Sequence, residues 1–502
     1  MNSLRGVILD PDRGSLVHKN LPYINPHKIF DIVASRYATV FLDSKLQHNY
    51  YGRYSFIGID PVLTITPESG LSLQQQLEHH SRMNGHCERH TLVLERGNLP
   101  PFTGGLMGYL SYDYSRQLEP SLTSTDYKYL YGDKLESQGN DERRRLQIVG
   151  KERYHESVVS NHPRTPVPDY WFGIYNQVFA FDNQEQVCYL LVTQLPDAED
   201  SEYLLSKLQD IYDSACNTPD IEFNKPEAVE ISSNFTKDEY INAVKQAIEY
   251  IKSGDIFEAN LAQRFSAKIS DKYNVPQLYK YLQFKNPAPF AAYLNLDKLK
   301  ILSASPERFI KVTGNDVEVR PIKGTIRRSA DSGADNFLAQ TLQSSSKDRA
   351  ENIMIVDLMR NDLSKICEAD SIVVKQLCGL ESFTNLHHLV SVINGKLKAG
   401  MSAFDIIKAI FPAGSITGAP KIRAMQLIDE LEQNMLRGVS YGSIGYIGFN
   451  GNIGLSVAIR TITIYNNELS FHVGGAVTLH SDPEAEYEET MLKAQKLFES
   501  IA

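Results

Sequence analysis

Apolar positions along the chain change period in blocks. Short β-rich runs separated by turn residues occupy 38–42, 54–59 and 62–65 and resume at 176–181 and 187–192, which predicts sheet strands. Between them, Pro101-Phe102-Thr103-Gly104-Gly105-Leu106-Met107-Gly108-Tyr109-Leu110-Ser111-Tyr112-Asp113 is glycine-rich and aromatic. It predicts a strand packed closely against another layer in preference to a ligand loop. The stretch 120–168 has no period and is crowded with polar residues, which predicts a surface insertion. A helix at 201–215 leads into a polar, proline-containing stretch from 217 to 234. That stretch predicts a boundary, giving an N-terminal unit at 1–225 and a second unit at 226–502.

Helical period then takes over. Thr236 and Glu239 have capping-box spacing, Tyr240, Val244, Ala247, Ile248 and Ile251 share a face, and Ser253-Gly254 closes the helix. The run 256–265 reads as a strand whose polar residues alternate with apolar ones, so one face is free to line a site. A strand meander is predicted at 290–296, 299–303, 309–312 and 317–322. Residues 353–356 and 358–359 are apolar around nearly the whole circumference, which predicts a buried helix over 346–362 despite Glu351, Asp357 and Arg360 within it. Two further helices follow. One has Pro420 at its first position, and the other begins at Ser481-Asp482-Pro483.

Composition narrows the class without naming a function. At 502 residues, 42 % hydrophobic and 22 % charged, the chain reads as globular, and its net charge of −10 argues against nucleic acid as the main partner. Five cysteines without a Cys-x-x-Cys spacing suggest neither a disulfide framework nor a zinc site. No run of about 18 apolar residues and no signal-like N-terminus is present, so a cytoplasmic protein that does not span a membrane is expected.

Candidate chemistry gathers late in the chain. In Val319-Arg320-Pro321-Ile322-Lys323-Gly324-Thr325 a lysine stands between a rigid proline and a permissive glycine, and it is either a solvated loop lysine or a reactive one. Glu307, at a turn one hairpin earlier, would give it an ion-pair or an acid/base partner. Glu351 either pairs with Lys347 one turn back or serves a metal. Gly414 through Lys421 feeds a helix N-terminus, an ordinary capped turn or an anion site around Thr417. On the last helix Glu486, Glu489 and Lys493 share a face, and carboxylates so spaced suit a hard cation as well as a surface ion pair.

These motifs together resemble the chorismate-utilising enzymes. The matching stretches are Ser305-Pro306-Glu307-Arg308-Phe309, Pro321-Ile322-Lys323-Gly324-Thr325, Asp348-Arg349-Ala350-Glu351-Asn352, His388-Leu389-Val390-Ser391, Gly414 through Lys421, Gly442-Ser443-Ile444-Gly445-Tyr446, Ala458-Ile459-Arg460-Thr461 and Asp482-Pro483 through Lys493, in family order. The resemblance implies an α/β (α+β) composite fold, two facing antiparallel sheets flanked by helices, with a Mg²⁺-chorismate site between them. It assigns Glu351, Glu486 and Glu489 to the metal, and Gly324, Thr325, Thr417, Arg460, the Gly474-Gly475 turn and Lys493 to the substrate. Lys323, Glu307 and His388 become the catalytic residues. Enzymes of the aminodeoxychorismate-forming branch resemble this chain in having lysine at 323, where anthranilate-forming relatives usually have alanine. Isochorismate-forming relatives carry a water-activating lysine where Glu258 stands, so water addition is disfavoured.

The implied reaction is amination of chorismate at C4 for 4-aminobenzoate and folate synthesis, with C2 amination to anthranilate as the alternative. It needs an unprotonated Lys323, hence a depressed pKa. No glutaminase nucleophile is visible, so a glutamine amidotransferase partner would supply ammonia. Ser44, Tyr51, Gly52, Arg53 and Tyr54, with Pro289, Phe290 and Ala291, match positions where relatives hold a tryptophan. Departures from the family pattern are the long 120–168 stretch, Ser440-Tyr441, Ala476 in place of a third glycine, and Thr478-Leu479-His480.

Overall fold

Among the described residues the β-rich runs assemble into two antiparallel sheets, of 13 and 10 strands. The computed structural model describes residues 5–10, 14–44, 51–69, 73–77, 99–122, 167–195, 198–219, 224–383 and 386–501. In the first sheet Thr39–Asp43 pairs with Tyr54–Gly58 on one side and Phe290–Leu296 on the other. The order then runs through Leu299–Ser305, Thr461–Tyr465 and Glu468–Val477 to Glu258–Lys268. In the second, Ile322–Arg327 and Asp316–Arg320 flank Leu386–Lys396, and the order continues through Arg308–Thr313, Ile453–Val457 and Ser443–Gly448 to Gly105–Leu110 and Tyr170–Tyr175. Strands from before and after residue 225 therefore stand side by side in both sheets. Of the predicted insertion, residues 123–166 lie outside the described residues.

The sheets pack face to face. Val40, Phe56, Val178 and Leu294 of one meet Met107, Tyr109, Trp171 and Ile444 of the other in a single buried cluster. Each large side chain enclosed there contributes about 1.5–3 kcal/mol by leaving water. Helices Pro26–Val33, Ser201–Asn217, Val275–Lys285 and Pro483–Ile501 cover the outer face of the first sheet, and Ser346–Ile366 and Ala403–Ile410 that of the second.

Glycine at 105 and 108 has a steric reason. A Cβ on Gly105 would fall 2.8 Å from the Gly448 Cα, and one on Gly108 2.8 Å from the Phe172 Cα. The strand packs against the other sheet as expected, through Met107 and Tyr109, while its glycines make room for neighbouring strands of their own sheet. The predicted capping box is present: Glu239 N–H donates to Thr236 Oγ1 at 3.3 Å, Thr236 N–H donates to Glu239 Oε2 at 2.8 Å, and Lys237–Lys252 follows. Pro420 precedes the helix Lys421–Leu431 as its N-cap.

The helix Ser346–Ile366 departs from expectation. Only one face is buried, through Ile355, Val356, Met359, Leu363 and Ile366, while Ile353 is 45 % exposed and Asp357 and Arg360 pair in solvent at 3.6 Å. The apolar residues at 353 and 354 widen the stripe without making the helix central.

Candidate active site

Three distant elements surround Lys323. It lies on Ile322–Arg327, is buried, and its Nζ donates to Glu258 Oε1 at 2.7 Å across 65 residues of sequence. Glu258 is at the start of Glu258–Lys268, fully buried and held by pairing with Ala419, and its Oε2 has no hydrogen-bond partner among the described residues. Gly324 has φ +85°, and a Cβ there would meet the Asp348 Cβ at 2.9 Å, so the lysine strand lies directly against the first turn of Ser346–Ile366. That contact delivers Glu351 to the site.

Electrostatics then reverse one expectation. Burial works against the Lys323 charge, but Glu258, Glu351 and Glu307 outweigh it and hold the pKa above the ordinary lysine value. The amine is therefore an ammonium in the free protein, because carboxylates and not cations surround it. Burial pushes Glu307 up to about 7, with the neighbouring Ser415 hydroxyl and Lys323 charge only partly opposing. Burial likewise raises Glu351 to about 7 against the pull of Lys323. Two carboxyls are thus poised near neutral pH beside one ammonium.

Glu351 does not pair with Lys347. That ammonium reaches Glu486 Oε1 at 3.5 Å, the oxygen that also accepts from Ser481 Oγ at 2.7 Å. Glu489 pairs with Lys493 at 2.7 Å, and Lys493 Nζ donates to the Gly474 carbonyl at 3.3 Å. Gly474 and Gly475 lie within the strand Glu468–Val477, not in a turn. A Cβ on Gly474 would collide with Ala262 Cα at 2.6 Å, and one on Gly475 would come within 3.3 Å of Glu486 Oε2. Glu486, Glu351 and Glu489 all act on Lys347, which marks where positive charge is favoured. The oxygen donors fit Mg²⁺ chemically. Among the described residues no three His, Cys, Asp or Glu side chains form a ready metal cluster, so an ion here would take one or two carboxylates and complete its shell with water and substrate oxygens.

A positive pole lies elsewhere in the same site. Arg460, at φ +50°, is half-buried, desolvation lowers its pKa, and its guanidinium has no hydrogen bond or ion pair among the described residues. Burial, Arg460, His387 and Lys496 push His388 down to about 3, so it is a neutral imidazole, with its Nδ1 2.8 Å from Thr325 Oγ1. Arg460 and Arg327 both act on Lys496. Thr417 is fully buried, with its hydroxyl donating to the Ala413 and Gly414 carbonyls at 3.2 Å each, and its own carbonyl accepts from Asn260 N–H at 2.7 Å.

A cavity of about 650 Å³ is lined by Ser44, Gly52, Arg53, Tyr54, Pro289, Phe290 and Ala291, with Arg308, Lys311 and Tyr446. Tyr51 stands outside that lining. Its hydroxyl accepts from Arg320 Nε at 2.6 Å and its ring packs on Phe290 and Phe383.

Sequence reasoning missed the Glu258–Lys323 pair and the cations Lys496 and Arg327. The signals for the first were the polar alternation of 256–265 and the family position of Glu258, where isochorismate-forming relatives carry a lysine; neither named Lys323 as its partner.

Residues 133–499 match the family model described as chorismate binding enzyme. The chain belongs to the chorismate binding enzyme family. This chorismate-utilising protein is 33 % identical to the aminodeoxychorismate synthase component 1 of Bacillus subtilis, over 88 % of each chain. It is equally 33 % identical to the anthranilate synthase component 1 of the same organism, over 97 % of this chain and 93 % of the relative. Its fold matches the anthranilate synthase component I of Streptococcus pneumoniae with a TM-score of 0.71 at 26 % identity, covering 95 % of this chain and 99 % of that one. Overall likeness does not separate the two reactions. No helix among the described residues is long and apolar enough to cross a membrane.

Proposed function

We propose that this protein is a cytoplasmic aminodeoxychorismate synthase, aminating chorismate at C4 with ammonia from a separate glutamine amidotransferase subunit, in 4-aminobenzoate and folate synthesis. The observation that carries the reading is Lys323, buried among Glu258, Glu307 and Glu351 where an amine can act on a bound ring.

In this reading Arg460 binds one substrate carboxylate, its unpaired guanidinium being the natural complement of an anion. Glu351 and Glu489, with Glu486 beside them, would hold Mg²⁺ at the other carboxylate, where the ion would neutralise developing negative charge. The Lys323 amine attacks ring C2, and Glu307 gives its proton to the departing C4 hydroxyl. A carboxyl raised to about 7 is suited to that role. Ammonia then adds at C4 and expels the lysine. Neutral His388, fixed by Thr325, lines the ring and contributes no charge. Gly324, Gly474 and Gly475 let backbone and charged side chains close on the substrate, and Thr417 and Lys493 border it. We read the 650 Å³ cavity as a tryptophan pocket, since seven of the eight matching positions line it.

The second reading is anthranilate synthase, favoured by the equal identity to that enzyme over more of the chain. Mass spectrometry after incubation with chorismate, Mg²⁺ and an ammonium salt separates them. 4-Amino-4-deoxychorismate is expected, and anthranilate with pyruvate would overturn the choice.

A further inference from the structure

A lysine attacks carbon only as the free amine, so the group that hydrogen-bonds its Nζ is placed to take the proton first. We propose, on the reading that Lys323 is the nucleophile, that Glu258 is the base that takes this proton and later returns it. The charged and titratable groups acting on Lys323 come from four elements: Glu258 from Glu258–Lys268, Glu307 from the turn after Leu299–Ser305, Glu351 from Ser346–Ile366, and Glu489 from Pro483–Ile501. Glu307 is engaged as the acid for the leaving hydroxyl, and Glu351 and Glu489 serve the substrate's metal end. Among the described residues only Glu258 hydrogen-bonds Nζ, at 2.7 Å. Its backbone is fixed by pairing with Ala419, and its Oε2 is buried without a partner.

A buried ion pair with an unsatisfied oxygen is costly, and moving the proton within the pair leaves two neutral groups. A Lys323 N–H bond breaks and an O–H bond forms on Glu258. The freed electron pair makes the N–C2 bond, the C4–O bond breaks, and the hydroxyl takes the Glu307 proton and leaves as water. When ammonia adds at C4 the N–C2 bond breaks, its electron pair returns to Lys323, Glu258 gives its proton back to Lys323, and the new C4 ammonium gives one proton to the Glu307 carboxylate.

Internal transfer has a readable signature. The wild-type pair keeps the same total proton count through the step, so kcat/KM for chorismate, measured with free ammonia held constant, is flat on the acid side of its profile. In Glu258→Gln the proton must go to solvent, and kcat/KM should instead rise about tenfold per pH unit up to about pH 7 and level off above it, where Glu307 loses the proton it must donate. Glu258→Asp, which keeps a carboxylate, should restore the flat limb, and thermal melting of both variants checks the fold. A Glu258→Gln profile of wild-type shape, at whatever absolute rate, overturns the proposal. A failure of the nucleophile reading shows on a different variant, as unchanged product formation by Lys323→Ala.

Discussion

The Lys323 site and the 650 Å³ cavity are built in opposite ways from the same two sheets. Around Lys323 the chain gathers ionisable groups from segments as far apart as 258 and 489 and leaves several unsatisfied. Around Ser44, Tyr54 and Phe290 it leaves open space, bounded by aromatic rings and by an arginine already committed to Asp182 at 2.8 Å. The first region resembles a loaded charge network, the second a pre-formed receptacle. Chemistry needs groups whose protonation changes, whereas recognition needs volume and shape. Tyr51 links them, touching Phe290 on one side and Arg320 on the other, and so does Arg308, which lines the cavity beside Glu307 in the chain.

The largest effect is expected from Lys323→Ala, which should reduce C4 amination by about 10³-fold or more while leaving the cavity untouched. Product analysis by mass spectrometry checks it, and wild-type turnover would dissolve the contrast between the regions. Next is Glu307→Gln. Turnover should fall by about 10²- to 10⁴-fold, and the decline of wild-type activity as pH rises through about 7 should disappear from the profile. Stability should move the other way. Glu307 has a folded pKa of about 7 against an ordinary 4.5, so its contribution to stability is fully present below 4.5 and lost as pH rises through 7. At pH 8 the variant should therefore gain up to about 3 kcal/mol in a denaturation measurement. A variant less stable than wild type at pH 8 would mean that the carboxylate is well solvated.

Effects at the cavity should be confined to binding. Calorimetry should detect tryptophan in the wild-type protein, and Ala291→Phe should remove the heat without changing turnover with ammonium. No binding at millimolar tryptophan would discard the ligand. Smallest of all, Tyr51→Phe removes a hydrogen bond to a charged group, worth about 1.5–3 kcal/mol at most, and should change kcat only a few-fold. A much larger loss would mean that the cavity and the catalytic strand act as one unit.

Local signals in the sequence translated well. The Thr236 capping box and the strand periods depend on residues within a few positions of each other, whereas Lys323, expected on an irregular segment, stands buried within the strand Ile322–Arg327. Glu258 escaped because its partner is 65 residues away, and only the pairing of Glu258–Lys268 with Gly418–Ala419 fixes where its carboxylate lies. The Lys323 pKa was misjudged for the same reason. A buried lysine alone would be depressed, and the reversal needs three carboxylates from three elements. At Ile353 the failure was different, since apolar identity does not reveal which residues of a helix meet solvent.

The order of strands bears on how the protein is made. Thr39–Asp43 waits for Phe290–Leu296, Gly105–Leu110 waits for Ser443–Gly448, and Glu258–Lys268 waits for Glu468–Val477. During synthesis neither sheet can close until nearly the whole polypeptide has left the ribosome, so long apolar strand edges stay uncovered through most of translation. High contact order slows the final assembly as well. Until those partners arrive, the uncovered edges are open to pairing with other chains, so the strand order makes assembly sensitive to the concentration of unfinished chains.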